Sequence, residues 1–457
     1  MKRRALLAVA LLSPVVARAQ YPSPSGTLPE GLRLTILARW GDRVTYDATP
    51  FDPARLTPGA AEAQFGRDAR VVGLLPAPQA ADGVPRATLI VAHPFGPLGT
   101  PELSGAIQGA SILNLERQAQ GWIIVDGGFQ SRRLTATTLT RDSEGTATTG
   151  VVGLTGGCVT PWGTVLLCEG DAAGAAGTLA LPADAHGHLL EFDPQDPASI
   201  PARRRALGRL GATHCAAGMA RDGRAAVFFA ARGALWRFLS EADAQAPDTL
   251  DRGQLSVARL DGESLRWAPA TPTTIAAGFT SNTPLALALN GSRLYAAVAG
   301  RRRLLIEIAF AQDDPAAETA TVLPLLDARD PPAPAVTPPG PGPAAFPHAP
   351  VSLSTLPGGG LLLGAAQANP WAPGGYWRVA TDTARRGAVE GVWIAPGGAA
   401  GGGGVVTPDG GTLIAAFSPP VWRDPSVTGT WPDFSATMPP RGGLVAVTRA
   451  NGRPFED

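Results

Sequence analysis

The sequence predicts an all-β chain folded as a six-bladed β-propeller with long loops and little helix. Six segments pair a glycine-containing turn with a strand of apolar and small residues. They begin at residues 81 (ADGVPRATLIVAH), 160 (TPWGTVLLCEG), 221 (RDGRAAVFFAA), 289 (LNGSRLYAAVAG), 356 (LPGGGLLLGAAQ) and 407 (TPDGGTLIAAFS). Glycine (56) and proline (45) are abundant among 457 residues, and short apolar runs are bounded by Gly, Asp and Pro, the punctuation of many short strands. Charged runs that favour helices are missing. A repeated turn-plus-strand unit points to radial stacking, which limits exposed sheet edges; the competing architecture is a large β-sandwich.

The elements follow in order. Residues 1–19 read as a signal peptide: Lys2, Arg3 and Arg4, an apolar stretch from Ala5 to Val16, then an Ala17-Arg18-Ala19 cleavage site, a stretch too short for a stable bilayer anchor. The Arg3-Arg4 pair fits a twin-arginine signal, and a Sec signal fits nearly as well. Residues 20–457 then form a single propeller domain, periplasmic or extracellular, monomeric and without a membrane span. The repeats recur about every 50 to 80 residues, enough for four strands per blade with sizeable loops. Helix is expected only in rim segments at Ala61–Phe65 and Leu239–Ala244. Residues 327–350 are too proline-rich for a central strand and read as a PPII-like loop, and residues 397–404 (GGAAGGGG) read as a flexible, glycine-rich loop.

Charge excludes one class of partner. Lys+Arg and Asp+Glu each total 38. Loss of residues 1–19 would remove four basic residues and no acid, leaving 34 against 38, so no basic footprint for nucleic acid remains. The triplets Arg203-Arg204-Arg205 and Arg301-Arg302-Arg303 read as solvated loop charges. A small molecule is the expected ligand.

Chemistry-bearing residues are sparse. There is no HExxH, GxSxG, P-loop or EF-hand pattern. The five histidines, His93, His186, His188, His214 and His348, are scattered and would meet only in a central channel. Cys168-Glu169 sets a thiol beside a carboxylate, a pair that suits a transition metal; it reads equally as an exposed rim pair or as half of a disulfide. Cys158 and Cys168 lie symmetrically about Gly163, so a hairpin centred there would permit a Cys158–Cys168 disulfide and leave Cys215 free.

The collinear segments GASILNLER, GWIIVD, SRRLTATT, TPWGTVLLCEG, GHLLEFDPQDP, RRRALGRL, LDRGQLSVARLDG, TPDGGTLIAAF and TWPDFSATMPPRGGLVAVTR resemble the PhoX-type alkaline phosphatases from about residue 65 to residue 450. The resemblance implies a propeller whose channel holds calcium and iron and hydrolyses phosphate monoesters outside the cytoplasm. It points to Cys168, Glu169, His93 and His214 as remnants of the metal site, and to Arg132 and Arg133 as candidates for holding phosphate or bracing a loop. The family pattern is broken at one position after another. Its Asn-His-Glu is Ala92-His93-Pro94, its Cys-Glu-Glu is Cys168-Glu169-Gly170, and its His-Glu-Gly is His214-Cys215-Ala216. An acidic pair falls on Ala230-Ala231, an Arg-Pro-Glu on Asn282-Thr283-Pro284, a Glu on Ala400, and a Gln-His-Pro-Gly-Glu on Ser418-Pro419-Pro420-Val421-Trp422. Clustered cations repel unless anionic ligands compensate, so these losses predict incomplete metal binding and weakened or lost activity. The alternative is a non-catalytic propeller that binds a small molecule or protein at its channel mouth.

Overall fold

The computed structural model describes residues 26 and 28–455, apart from 79–80, 129–130, 271–282, 300–302, 328–348, 368–373, 421–430 and 436. The expected signal peptide, the body of the proline-rich loop, Asn282, Arg301, Arg302, His348, Val421 and Trp422 lie outside the described residues. Strands dominate, and the helices are short.

Each of the six repeated segments forms a strand: Arg86–His93, Val165–Cys168, Arg224–Ala231, Arg293–Ala299, Leu361–Ala365 and Thr412–Phe417. Each pairs antiparallel with a strand that precedes it in sequence: Arg70–Pro76, Gly156–Val159, His214–Met219, Thr283–Asn290, Pro350–Thr355 and Gly401–Val406. Those six first strands touch one another in a closed cycle, in chain order, with Gly401–Val406 returning to Arg70–Pro76. Together they wall one central cavity of about 220 Å³.

Six separate sheets were expected, and five are hydrogen-bonded among the described residues. The difference arises at Ser264–Pro269, which pairs with Gly253–Asp261 on one side and, through Ser264, Leu265 and Arg266, with Thr319–Asp327 on the other. Two antiparallel sets thereby fuse into one nine-stranded sheet. In another sheet the first strand among the described residues, Leu32–Arg39, pairs with Gly443–Arg449.

Local expectations fare unevenly. The helix expected at Ala61–Phe65 lies three residues earlier, at Pro58–Glu62, because Thr57 caps the Ala60 N–H and Pro58 sits at the first turn. The helix expected at Leu239–Ala244 is instead the end of the strand Ala234–Asp243: Leu239 and Ser240 pair with Gln254 and Gly253, and ladder bonding overrides local propensity. Two helices were unforeseen, Pro101–Ile107 and Ala172–Leu179.

The glycine run at 397–404 is also corrected, since Gly401–Val406 is a buried strand rather than a flexible loop. Proximity explains its composition. A Cβ on Gly402 would lie 2.2 Å from the Ala69 carbonyl oxygen, and Gly403 has φ +90°, so two backbones meet where side chains do not fit.

Among the described residues, no helix is long and apolar enough to cross a membrane. Gly402→Ala is expected to lower stability by about 2–3 kcal/mol in urea unfolding, the cost of overpacking against fixed backbone. Gly391→Ala, where an added Cβ meets nothing within 4 Å, should leave the midpoint unchanged or slightly raised.

Candidate functional site

The hairpin Gly156–Cys168 positions the Cys-Glu pair. Its turn is closed by Thr160 N–H to the Thr164 carbonyl (2.9 Å), with Gly163 at φ +89°. The register pairs Leu166 with Cys158 and Cys168 with Gly156, so the hairpin is centred on Trp162, one residue before Gly163. The expected Cys158–Cys168 disulfide is therefore corrected, because Cys158 faces Leu166 across the ladder and all three cysteines are unlinked. The thiol nearest Cys158 comes from the adjoining sheet: Cys215 Sγ lies 3.2 Å from Cys158 Sγ. Burial pushes the Cys215 thiol well up, with Cys158 and Cys168 adding to the effect.

His214 begins the neighbouring strand and lies over Gly156, where an added Cβ would come within 3.0 Å of the ring. Its Nδ1 is 3.1 Å from the Cys215 carbonyl and 3.4 Å from the Leu287 N–H. Burial lowers its pKa to about 4, so the imidazole is neutral at pH 7.

Glu169 has a different surrounding. It is wholly buried and accepts hydrogen bonds from the backbone N–H groups of Gly187 (2.8 Å), His188 (3.2 Å) and Val152 (3.4 Å). Arg203 Nη1 and His186 Nδ1 each stand 3.4 Å from it. Arg203 is itself buried, donating to the carbonyls of Ala185 (2.5 Å) and Gly150 (2.7 Å) and to Thr140 Oγ1 (3.1 Å). The carboxylate is compensated by this cage. Sequence reasoning set Arg203–Arg205 among solvated loop charges, and here it is corrected. Arg203 is in the interior, Arg204 bridges Glu191 and Asp251, and only Arg205 is half-exposed, against Asp142.

His93 is in a separate sheet and is also fully buried. Its Nδ1 is 2.5 Å from the Asp68 carbonyl, an oxygen that can only accept, so Nδ1 carries the proton. Its Nε2 then accepts from Ser111 Oγ at 2.7 Å. Burial, aided by the Arg133 charge, holds the imidazole well below its usual pKa. Arg133 Nη1 reaches Ser111 Oγ at 3.2 Å, and its Nη2 donates to the carbonyls of Ala106 and Gln108, both at 2.8 Å. Burial lowers its pKa to about 9. Arg132 donates to the carbonyls of Asp196 (2.8 Å) and Asp193 (3.4 Å) beside the Phe192 ring. The hydrogen-bond partners of these two arginines are backbone carbonyls and the Ser111 hydroxyl rather than acids.

The structure gathers Cys168, Cys215, Cys158 and His214 around Gly156, while Glu169 joins Arg203 and His186 and His93 joins Ser111 and Arg133. His186 Nε2 and His188 Nδ1 are buried with no hydrogen-bond partner.

A family model described as alkaline phosphatase PhoX matches residues 14–302. The chain belongs to the PhoX alkaline phosphatase family. The Pseudomonas fluorescens PhoX solved with vanadate, a transition state analogue, superposes with TM-score 0.78 at 20% identity, covering 94% of this chain and 97% of that one. At such identity the likeness speaks for the fold. The gluconolactonase XC5397 from Xanthomonas campestris aligns over 91% of this chain and 99% of its own at 13% identity, but its TM-score of 0.35 is too low to inform. No curated protein sequence matches.

PhoX proteins are metalloenzymes, and two of the four residues expected to hold metal here, Glu169 and His93, are already committed to other partners. Calcium requires several uncommitted oxygen donors. The carboxylate of Glu169 is already compensated by Arg203 and three amides, and both His93 nitrogens are engaged.

Arg203→Met should destabilise the protein by about 3–5 kcal/mol, because it strands a buried carboxylate. Glu169→Gln in the same chain should recover part of the loss, as read by a double-mutant cycle in urea. A second expectation concerns pH. Burial lowers the His188 pKa to about 4, so between about 6.5 and 4 the unfolded chain binds the proton that the folded one refuses. This contribution to stability is intact above pH 6.5 and is lost as pH falls towards 4. Urea midpoints measured across that range should drop, and His188→Gln should flatten the slope.

Proposed function

We propose that this PhoX-family chain is an exported six-bladed propeller in which phosphomonoester hydrolysis is weakened or lost. The closed cycle of six first strands around one cavity supports the blade count, with two blades joined edge to edge at Ser264–Pro269. The features of residues 1–19 support export to the periplasm or beyond. For the reduced activity, the observation that carries most weight is the closure of Glu169 by Arg203 and three backbone amides. A carboxylate held in this way has little left to offer a cation.

The chemistry explains the consequence. Phosphoryl transfer needs positive charge preorganised on the developing oxyanions and an activated nucleophile. Arg132 and Arg133 direct guanidinium donors to backbone carbonyls. Positions where the family pattern calls for acids carry Gly170, Cys215, Ala230, Ala231 and Ala400. The second reading, a binding module, is favoured by the central cavity, whose walls carry Val71, Val72, Leu74, Leu287, Leu289 and Leu353. The same walls also carry His214, Ser354 and Thr355, so a small molecule with both apolar and hydrogen-bonding groups would suit it.

Purified protein supplied with calcium and iron should hydrolyse p-nitrophenyl phosphate at least about a hundredfold more slowly than Pseudomonas fluorescens PhoX, a deficit equivalent to about 2.7 kcal/mol of transition-state stabilisation. Supplying the metals matters, because weak sites can empty during purification. Comparable turnover that disappears in Cys168→Ala or Glu169→Gln would overturn the proposal and assign those two residues to a working metal centre.

A further inference from the structure

We propose that Cys158 and Cys215 are a redox-modification site, forming a reversible disulfide across the seam between two sheets when a small-molecule disulfide reaches them through the central cavity. The pair is already assembled. Their sulfurs lie 3.2 Å apart, and covalent closure brings them to about 2 Å. They come from different sheets, Cys158 on Gly156–Val159 and Cys215 on His214–Met219, and both line the cavity.

Access distinguishes the three thiols. Cys158 is half-buried at the cavity wall, Cys215 is buried but borders the same space, and Cys168 is fully buried and does not line it. Cys158 is therefore the attacking sulfur. Its thiolate attacks one sulfur of the incoming disulfide and releases one donor thiolate, which takes up a proton. Cys215 loses its proton and attacks the Cys158 sulfur of the mixed disulfide, releasing the second donor thiol. Two protein thiols are oxidised by two electrons, and one donor disulfide is reduced to two thiols.

The link would tie the hairpin that carries Cys168 to the strand that opens with His214. It also spans 57 residues of chain, so it constrains the unfolded state far more than the folded one.

Oxidised glutathione, applied to the purified full chain over a series of glutathione ratios, tests this. After alkylation and non-reducing peptide mapping, the Cys158 and Cys215 peptides should be joined, with Cys168 alkylated only after denaturation. The thermal midpoint should rise by roughly 4 °C on oxidation and return on reduction. Cys158→Ser and Cys215→Ser should each abolish the joined peptide, and Cys168→Ser should keep it. A stable glutathione adduct on Cys158 alone, a Cys168–Cys215 link, or three unmodified thiols in the wild-type chain would each overturn the proposal. Mapping of the wild type decides the matter even if a serine variant folds poorly.

Discussion

Close backbone approach around the central cavity is the constraint on which the rest of the molecule depends. Six strands meet there, and adjacent sheets touch where one of them lacks a side chain. A Cβ on Gly73 would lie 2.4 Å from Val159, one on Gly157 would lie 3.0 Å from Val72, and one on Gly218 would lie 2.4 Å from Leu289. Small residues at these seams let the larger ones pack further out, where Phe228, Phe229, Trp236, Trp377 and Trp393 are fully buried. The narrow centre and the bulky periphery are two halves of one packing solution.

That geometry also governs what chemistry the centre can perform. Crowded strands leave few directions in which a polar side chain can find water, so each buried polar group needs a protein partner. Glu169 finds Arg203 and amides, His93 finds Ser111 and the Asp68 carbonyl, and Arg133 finds the carbonyls of Ala106 and Gln108. Glu169 and His93, which the family resemblance marks as ligands, thus hold neighbouring backbone and side chains together. The same residue types at the same sequence positions can hold a scaffold together once the surrounding acids have been replaced.

Much of this fold was legible from turn chemistry. The six glycine-containing turns announce the second strand of each inner pair because Gly supplies a turn conformation and the following residues are apolar. The first strands were less visible. The stretch Gly401–Gly404 carries the lowest strand propensity available, and only a neighbouring backbone such as that of Ala69 explains why glycine is needed. The cysteine pairing failed for a related reason: symmetry about Gly163 is off by one residue from the real centre at Trp162, and a hairpin's register follows its turn. Arg203 escaped notice because three consecutive arginines look alike in sequence, while partners such as Gly150 and Ala185 contribute carbonyls that no sequence pattern marks. For the candidate site, the closeness of Cys215 to Cys158 was not read from the sequence, because it joins two different sheets.

The pairing of Leu32–Arg39 with Gly443–Arg449 carries a consequence for biosynthesis. A sheet whose edge strand leaves the ribosome about 400 residues before its partner stays incomplete until that partner has been made. Roughly 400 residues of chain must be kept from non-native pairing while that edge waits, with its N–H and C=O groups exposed. Closing so long a loop is slow because its entropy is lost before the contacts are gained. Once the two strands have met, local fraying at either end is resisted by the ladder between them.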